Sequence, residues 1–335
     1  MRNLTESDNK SAPLTDLFQR RLSYLRLSVT DLCNFKCNYC LPDGYQGKKP
    51  KNELTVSEID NLVSTFADLG TKKIRLTGGE PTLRKDINEI IQVCQRPENI
   101  EKVALTTNGW KLEQHYKKWI DSGLNQINIS VDSLDEDTFE QITGRRSLGS
   151  ILRAIDLIMD YKPLPIKLNA VLLKESGVQQ LHSVLAFIKD KPISFRFIEL
   201  MQTAENNLLF ENSHLSASRI VKILEREGWT ALPRGKDAGP AVEYAHPDYM
   251  GRMGVIAPYS KDFCKNCNRL RVTAMGNLHL CLFDSCAFNI RPYLVDGKRS
   301  DLINYLQNLM PQKPEMHHLH ENNSGLITNL SMIGG

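Results

Sequence analysis

Three cysteines lie within eight residues of one another in the segment DLCNFKCNYC, at positions 31–40. Their spacing is C-x3-C-x2-C, and they are Cys33, Cys37 and Cys40. A structural zinc site closes a tetrahedron with four ligands, so three thiolates leave one position open. An iron–sulfur cluster held by three thiolates leaves one iron free to bind an external ligand. This segment therefore predicts a cluster with an open iron, with zinc as the alternative.

A second set of three cysteines lies nearer the C-terminal end, with the spacing C-x2-C-x13-C: Cys264, Cys267 and Cys281. A zinc ribbon is the alternative here, because Cys286 or His279 could supply a fourth ligand. Arg269 and Arg271 directly follow the first pair of cysteines and bring positive charge to this site. The spacing again predicts three ligands and an open position.

The composition is that of a globular enzyme. The chain has 335 residues and a formal net charge of +3, which is too small to predict a nucleic acid or a membrane surface as partner. We find no apolar stretch of the length that a membrane-spanning helix needs. The polar start MRNLTESDNK is unlike a signal or transit peptide. We therefore expect a cytoplasmic protein whose eight cysteines are reduced and available to a metal.

Short β-type runs alternate with amphipathic helical segments between residues 24 and 201. The six runs are 24–30, 72–77, 102–107, 126–131, 166–173 and 193–200. This pattern is typical of repeated βα units with a parallel sheet. Thr55 and Glu58 predict a capping box at the start of the first helix, and Gly70 predicts its end. We expect an α/β fold, with a partial (βα)6 barrel of the TIM type.

The sequence pattern changes after Met201, first to a helical segment at 216–228 and then to Gly- and Pro-rich stretches with short β-like runs through about residue 283. The predicted organisation has four parts. These are an N-terminal extension (1–23), the barrel (24–215), a separate C-terminal layer with the second cysteine set (216–310), and a poorly ordered tail (311–335). We expect the histidines of this tail to be solvated: His317, His318 and His320.

Polar residues share one face of several predicted strands, since side chains alternate across a strand. These sets are Lys73, Arg75 and Thr77, then Asn128 and Ser130, then Lys167 and Asn169. Active sites of βα barrels gather at the carboxyl ends of the strands, where inward polar residues are expected. We therefore interpret these faces as part of a site, with solvent-exposed strand ends as the alternative.

The segment TGGEP, Thr77 to Pro81, follows the second predicted strand, and its glycines allow close backbone approach. Together with C-x3-C-x2-C, it resembles the radical S-adenosylmethionine superfamily, in which the free iron chelates the methionine moiety. The second cysteine set with Arg269 and Arg271 resembles the molybdenum cofactor biosynthesis protein A family, the GTP 3',8-cyclases. The likeness extends from Arg26 to the terminal Ser-Met-Ile-Gly-Gly.

This resemblance implies roles for individual residues. Cys33, Cys37 and Cys40 would hold one four-iron cluster, and Cys264, Cys267 and Cys281 another. The residues around S-adenosylmethionine would be Tyr39, Gly79, Ser130 and Met201. Those around GTP would be Arg26, Lys73, Arg75, Thr106, Lys167, Arg269 and Arg271. Arg269, Arg271, Gly334 and Gly335 would also support the chemistry.

The resemblance further implies the reaction and its partners. A 5'-deoxyadenosyl radical would remove the ribose 3' hydrogen of GTP, and the ribose would then close onto C8 of guanine in the first step of molybdenum cofactor biosynthesis. A flavodoxin- or ferredoxin-type protein would donate the electron. Cyclic pyranopterin monophosphate synthase would take the product, and a homodimer is a candidate assembly.

Two other functions are compatible with parts of the sequence. A radical enzyme that modifies a peptide would use the second cluster for electron transfer, but the arginines beside that cluster and the Gly-Gly end disfavour it. A zinc-ribbon protein that binds nucleic acid would explain the C-terminal cysteines alone. Iron and sulfide would distinguish the radical enzymes from the zinc protein.

The Gly-Gly end generates a test. Glycines have no side chains, so Gly334 and Gly335 could pass a narrow opening and bring a carboxylate close to a buried ligand. We expect deletion of both glycines to leave iron content unchanged and to abolish most of the cyclised product, measured by mass spectrometry. Wild-type yield from the truncated protein would identify an ordinary frayed terminus.

Overall fold

The computed structural model describes residues 12–47, 52–204, 206–235, 238–284, 286–321 and 323–325. The strands are β1 (Tyr24–Ser28), β2 (Lys73–Thr77), β3 (Lys102–Thr107), β4 (Gln126–Ser130), β5 (Ile166–Leu172), β6 (Ser194–Glu199), β7 (Thr230–Ala231), β8 (Val242–Ala245), β9 (Arg252–Ile256), β10 (Arg269–Val272), β11 (Asn277–His279) and β12 (Phe288–Asn289). The helices are α1 (Val56–Asp68), α2 (Ile87–Gln95), α3 (Leu112–Asp121), α4 (Glu136–Thr143), α5 (Leu148–Tyr161), α6 (Gly177–Ile188), α7 (Asn207–Ser213), α8 (Ser218–Arg226) and α9 (Arg299–Leu309).

The strands form one sheet in the order β12-β11-β10-β1-β2-β3-β4-β5-β6-β9-β8-β7. Neighbours from β10 to β9 are parallel, and antiparallel pairs extend the sheet at both ends. The predicted α/β class with a mostly parallel sheet is confirmed, and the six predicted strands are β1 to β6. The C-terminal residues were expected to form a separate layer. Instead β9 and β10 join the same sheet, because they pair with the otherwise open edges of β6 and β1.

The two faces of the parallel sheet differ in chemistry. Leu27 and Leu76 point into the main apolar core, which the surrounding helices share. Neighbouring residues point to the opposite face, where Arg26, Lys73 and Arg75 are buried. The strands therefore turn an apolar side to the helices and a cationic side to the interior of the site.

The start of α1 follows the sequence prediction. The Glu58 N–H donates to Thr55 Oγ1 at 3.2 Å, and the Thr55 N–H donates to Glu58 Oε2 at 2.8 Å. Gly70 adopts φ of +85° just after the helix, as predicted. The capping box thus gives the backbone N–H groups of Thr55 and Glu58 hydrogen-bond acceptors from residues only three positions away.

Several of the described residues that follow residue 310 pack against the body of the protein. Lys313, His317 and Leu319 are each less than one-tenth exposed. His317 Nε2 lies 2.9 Å from the Pro258 carbonyl oxygen, and its Nδ1 accepts from the Leu319 N–H at 3.3 Å. The expectation of a solvated histidine is therefore wrong for His317. Within the described ranges, we find no helix with the length and apolar character that crossing a membrane requires.

The capping box predicts a measurable stability effect. Thr55→Ala removes the side-chain acceptor at the N-terminus of α1, which typically costs about 1 kcal/mol. We expect a lower midpoint of urea unfolding by circular dichroism. Thr15→Ala, at an exposed residue, is the control and should leave the midpoint unchanged. Equal midpoints for all three proteins would contradict a stabilising cap.

Candidate active site

Loops at the carboxyl ends of β1 to β4 surround the first cysteine set. Cys33, Cys37 and Cys40 follow β1 and line a cavity of about 140 Å³. The ends of β2, β3 and β4 supply further lining residues, among them Thr77, Gly78, Gly79, Thr106, Thr107, Ser130 and Asp132. Burial raises the pKa of Cys37 well above its usual value, and negative charge on Asp132, Cys40 and Cys33 adds to the rise. The three thiols therefore share the wall of one cavity, and a cation there would favour their deprotonated form.

The TGGEP turn packs directly against the loop of the first cysteine set. Gly78 has φ of +148°, and a Cβ built on Gly79 would lie 2.3 Å from the Leu32 carbonyl oxygen. The Gly79 N–H donates to the Thr30 carbonyl oxygen at 2.9 Å. Any side chain at Gly79 would clash with this backbone. The double glycine therefore sets how closely the end of β2 approaches the cysteine loop.

Glu80 anchors the same turn to the end of β3. Its buried carboxylate accepts from the Thr82 N–H at 3.0 Å, from Thr107 Oγ1 at 2.8 Å and from the Asn108 N–H at 2.7 Å. Burial raises the pKa of Glu80, and these donors oppose the rise. Glu80 was not among the predicted site residues, although a carboxylate directly after two glycines was a usable signal.

The second cysteine set surrounds a smaller cavity, of about 40 Å³, beside the amino end of β10. Its lining residues include Cys264, Cys267, Cys281, Arg269, Arg271, Phe283 and His317. Burial alone would raise the pKa of Cys267, but the positive charges of Arg269 and Lys313 lower it to about 6. Lys313 Nζ is itself buried and donates to the Arg269 and Leu280 carbonyl oxygens. The site therefore stabilises a thiolate.

Arg20, near the N-terminal end of the described residues, forms hydrogen bonds to the loop of the second cysteine set and to the segment that follows α9. Its guanidinium donates to the Cys264 carbonyl oxygen at 3.0 Å and to the Glu315 and Pro314 carbonyl oxygens at 2.7 Å each. Asp16 accepts from Arg20 Nε in a buried ion pair. This one side chain thus connects Asp16 near the N-terminus, the loop of the second cysteine set, and the segment at Pro314 and Glu315.

The two cysteine sets border a common apolar cluster. Met201, Phe283 and Leu319 form its buried part, and Cys40 of the first set and Cys281 of the second pack against it. Cys286, one proposed fourth ligand, is exposed. Among the described residues, no three His, Cys, Asp or Glu side chains are grouped so that they could share a single metal ion.

Buried arginines lie in register across three neighbouring strands. Arg271 on β10 pairs with Arg26 on β1, and Arg26 pairs with Arg75 on β2. Burial lowers the pKa of Arg271 to about 10, and the charge of Arg269 contributes. Cations that are buried side by side lose hydration and repel one another, so the arrangement favours a bound anion.

A larger cavity, of about 560 Å³, lies at the amino ends of the central strands. Its cationic lining residues are Lys73, Lys102, Lys167, Arg196 and Arg252. Burial, with the charge of Arg75 second, lowers the pKa of Lys73 to about 6. Burial, with the charge of Arg196 second, lowers that of Lys167 to about 7. We call this space the cationic cavity.

The structure places most of the predicted site residues around these three spaces. Tyr39, Gly79, Thr106 and Ser130 line the first cavity, and Tyr39 donates its hydroxyl to Asp132 at 2.9 Å. Arg196 was missed, although the alternation that selected Lys73 also applies to β6. Asp132, two residues beyond β4, was missed because it follows the strand. Gly334 and Gly335 lie outside the described residues.

Two family models together match most of the chain. The Radical SAM superfamily matches residues 27–188, which include the first cysteine set and β1 to β5. Molybdenum Cofactor Synthesis C matches residues 193–319, which include the second cysteine set. The boundary between the two falls just before β6.

Curated proteins resemble the chain over nearly its whole length. A GTP 3',8-cyclase of Haemophilus ducreyi is 48% identical over 99% of this chain and 98% of its own length. One from Vibrio atlanticus is 49% identical over 96% and 97%. Among solved structures, Streptococcus suis SuiB bound to S-adenosylmethionine has a TM-score of 0.59 at 12% identity and covers 84% of this chain and 68% of its own, a likeness of fold. The chain therefore belongs to the GTP 3',8-cyclase family of the radical SAM superfamily.

Proposed function

We propose that the protein converts GTP to (8S)-3',8-cyclo-7,8-dihydroguanosine 5'-triphosphate, the first step of molybdenum cofactor biosynthesis. The observation that carries this proposal is the pairing of β10 with β1 in a chain closely similar to GTP 3',8-cyclases. That pairing puts the second cysteine set beside buried arginines, and Lys73 of the cationic cavity lies on the same face of β2 as Arg75 of that row. A nucleotide whose base faces the cysteines would direct its triphosphate toward the cations.

The residues of both cysteine sets fit four-iron clusters. Each set offers three thiolates around one cavity, which is a donor set that leaves one iron open. Beside the first set, Gly78 and Gly79 let the end of β2 pack directly against the backbone of the cysteine loop, because a Cβ at either position would meet the Thr30 or Leu32 carbonyl oxygen. When bound, the first cluster and S-adenosylmethionine supply the 5'-deoxyadenosyl radical that removes the 3' hydrogen of GTP.

We assign the residues of the first cavity to S-adenosylmethionine. Gly79 and Ser130 both line this cavity, and Ser130 offers a hydroxyl there. Tyr39 is oriented by its hydrogen bond to Asp132, whose other oxygen accepts from the Val171 N–H at 2.9 Å. Met201 contributes apolar surface where the two cysteine sets approach. These residues bind and orient the cofactor.

We assign the cations to GTP. Arg26, Arg269 and Arg271 lie nearest the second cysteine set, where they would hold the nucleotide close to its open iron and stabilise charge during the reaction. Lys73, Arg75 and Lys167 complete the cations of the predicted set, and Arg196 joins them on geometric grounds. Thr106, the remaining predicted GTP contact, lines the wall of the first cavity. Arginine gives paired hydrogen bonds to phosphate and lysine gives a point charge.

Further proposals concern architecture and partners. Side chains from β2 to β6 and from β9 line one cavity, which supports a sheet curled into a partial barrel with the C-terminal region as the cluster-bearing part. We also propose that the Gly334–Gly335 end enters the active site. A flavodoxin- or ferredoxin-type donor, cyclic pyranopterin monophosphate synthase as the next enzyme, a homodimer and a cytoplasmic location complete the proposal.

The proposed activity is tested by anaerobic incubation of reconstituted protein with GTP, S-adenosylmethionine and a reductant. We expect methionine, 5'-deoxyadenosine and the cyclised nucleotide, and roughly eight irons per chain. Replacing Cys264, Cys267 and Cys281 together by Ala should halve the iron and abolish cyclisation. Some cleavage of S-adenosylmethionine should remain, because the first site is intact.

Cys286→Ala is the matched control, since this thiol is exposed and free. It should keep full iron and full activity. Cyclisation by the triple variant would refute a substrate role for the second set. Zinc in place of iron would refute the proposed function as a whole.

The lowered pKa values of Lys73 and Lys167 predict that GTP binding takes up protons. Lys73 and Lys167 have pKa values of about 6 and about 7 in the free protein, so both are largely neutral at pH 8. Phosphate charge beside them raises these values, and binding must then take up roughly one to two protons at pH 8. Affinity should accordingly fall as pH rises from about 7 to 9.

Calorimetry of GTP binding in two buffers of different ionisation enthalpy measures this uptake. Lys167→Arg is the matched variant, because arginine keeps its charge throughout this range. It should bind GTP with less proton uptake than the wild type. Equal uptake by both proteins would show that Lys167 does not titrate with the nucleotide.

A further inference from the structure

One carboxylate lies among the cations of the cationic cavity. Glu243 on β8 is the only acidic side chain in the described lining of this space. Its Oε1 accepts from Arg196 Nη2, and its Oε2 accepts from Ser194 Oγ at 2.7 Å. Glu243 thus neutralises part of the charge that we assign to triphosphate binding.

The sheet register explains how the pair can form. Glu243 is paired with Gly254 on β9, and Gly254 is paired with Arg196 on β6, so the three residues form one row. Residues on β8 and β6 are separated by a whole strand, or about 9.6 Å at the usual strand spacing. A Cβ on Gly254 would lie 2.5 Å from Arg196 Cγ. The missing side chain leaves the space across which the two charged groups meet.

The two side chains of the Arg196–Glu243 ion pair differ in their exposure to solvent. The Arg196 side chain is only 7% exposed and lies against Gly254, whereas the Glu243 side chain is 21% exposed. The carboxylate can therefore move toward solvent while the guanidinium stays. Within the described part of the chain, the buried Nε of Arg196 has no hydrogen-bond acceptor, so its donors are only partly used. Such a guanidinium can donate its hydrogen bonds to a second anion in place of the first.

We propose that Glu243 is a resident counter-ion, which holds Arg196 in the nucleotide-free protein and is displaced by a phosphate of the bound triphosphate. The inference rests on the proposed function, in that it takes the cationic cavity as the triphosphate site. Glu243 offers two oxygens to the same donors that a phosphate would use. It therefore lowers the affinity of the protein for every ligand whose phosphates reach Arg196, including both the substrate and the cyclised product.

This arrangement has a consequence for turnover. Without the carboxylate, five cations would face the phosphates unopposed, and a triphosphate product would leave slowly. With it, departure of the nucleotide is followed by return of an anion that is already attached to the protein. The effect is confined to phosphate-bearing ligands, so guanosine should be insensitive to it.

The test compares wild type with Glu243→Gln, which keeps the size of the side chain and removes its charge. Inorganic tripolyphosphate, GTP and guanosine are titrated calorimetrically into the anaerobically reconstituted enzyme. We expect the Kd for tripolyphosphate and for GTP to fall about five- to tenfold. The Kd for guanosine should not change, and a structural defect would not produce this division. An unchanged or higher Kd for tripolyphosphate would overturn the proposal.

Two further variants keep the result interpretable. Glu113→Gln makes the same change in net charge at an exposed Arg153 pair on α3, outside the cavity, and should leave all three affinities unchanged. Ser194→Ala removes one of the two donors that hold Glu243, and should shift the polyphosphate affinities in the same direction by a smaller factor. If Glu243→Gln does not fold, a lack of effect in Ser194→Ala overturns the proposal.

The same samples separate this inference from the proposed function. Tighter tripolyphosphate binding by Glu243→Gln, in a protein whose wild type does not cyclise GTP, would support the counter-ion and refute the function. Normal cyclisation by the wild type, with equal polyphosphate affinity in both proteins, would refute the counter-ion alone.

Discussion

The parallel pairing of β10 with β1 is the interaction on which the site depends. It brings residues about 245 positions apart into one ladder, with Tyr24 opposite Arg269 and Arg26 opposite Arg271. The backbone hydrogen bonds of this ladder fix the second cysteine loop beside the strand that leads to the first cysteine loop. Without it, the two cysteine sets would belong to separate parts of the chain, and the buried arginines would not share one face.

Burial of so many cations on one face of the sheet creates an electrostatic cost. Arginines and lysines on β1, β2, β5, β6 and β10 are drawn away from water and toward one another, and burial lowers the pKa values of Lys73 and Lys167 to about 6 and about 7. A protein tolerates such a group only where anions offset it. In this molecule the Cys267 thiolate, the carboxylate of Glu243 and a polyphosphate ligand can share that task. The cations that destabilise the empty site are therefore the ones that we propose to recognise the nucleotide.

Rigid backbone contacts complement these charges around the first cysteine set. Gly78 and Gly79 let the end of β2 approach the cysteine loop to a distance that no side chain permits, and Glu80 ties the turn to β3. The loop that carries the thiolates is thus held by its neighbours before any ligand binds. A preorganised loop suits radical chemistry, in which the protein positions the reactants and excludes competing reactions.

The sequence by itself determined what depends on near neighbours in the chain. Alternation along each strand identified β1 to β6 and the cationic face of β2, and the capping box fixed the start of α1. Cysteine spacing singled out two sets of three thiols, each of which lines one cavity. Only the tertiary structure decided what depends on strand order: the place of β9 and β10 in the main sheet, the burial of Lys313 and His317, and the row from Glu243 through Gly254 to Arg196. The physical reason is that propensity and periodicity act within a few residues. Pairing between distant strands is chosen by the whole sheet, through hydrogen bonds and packing that no local pattern records.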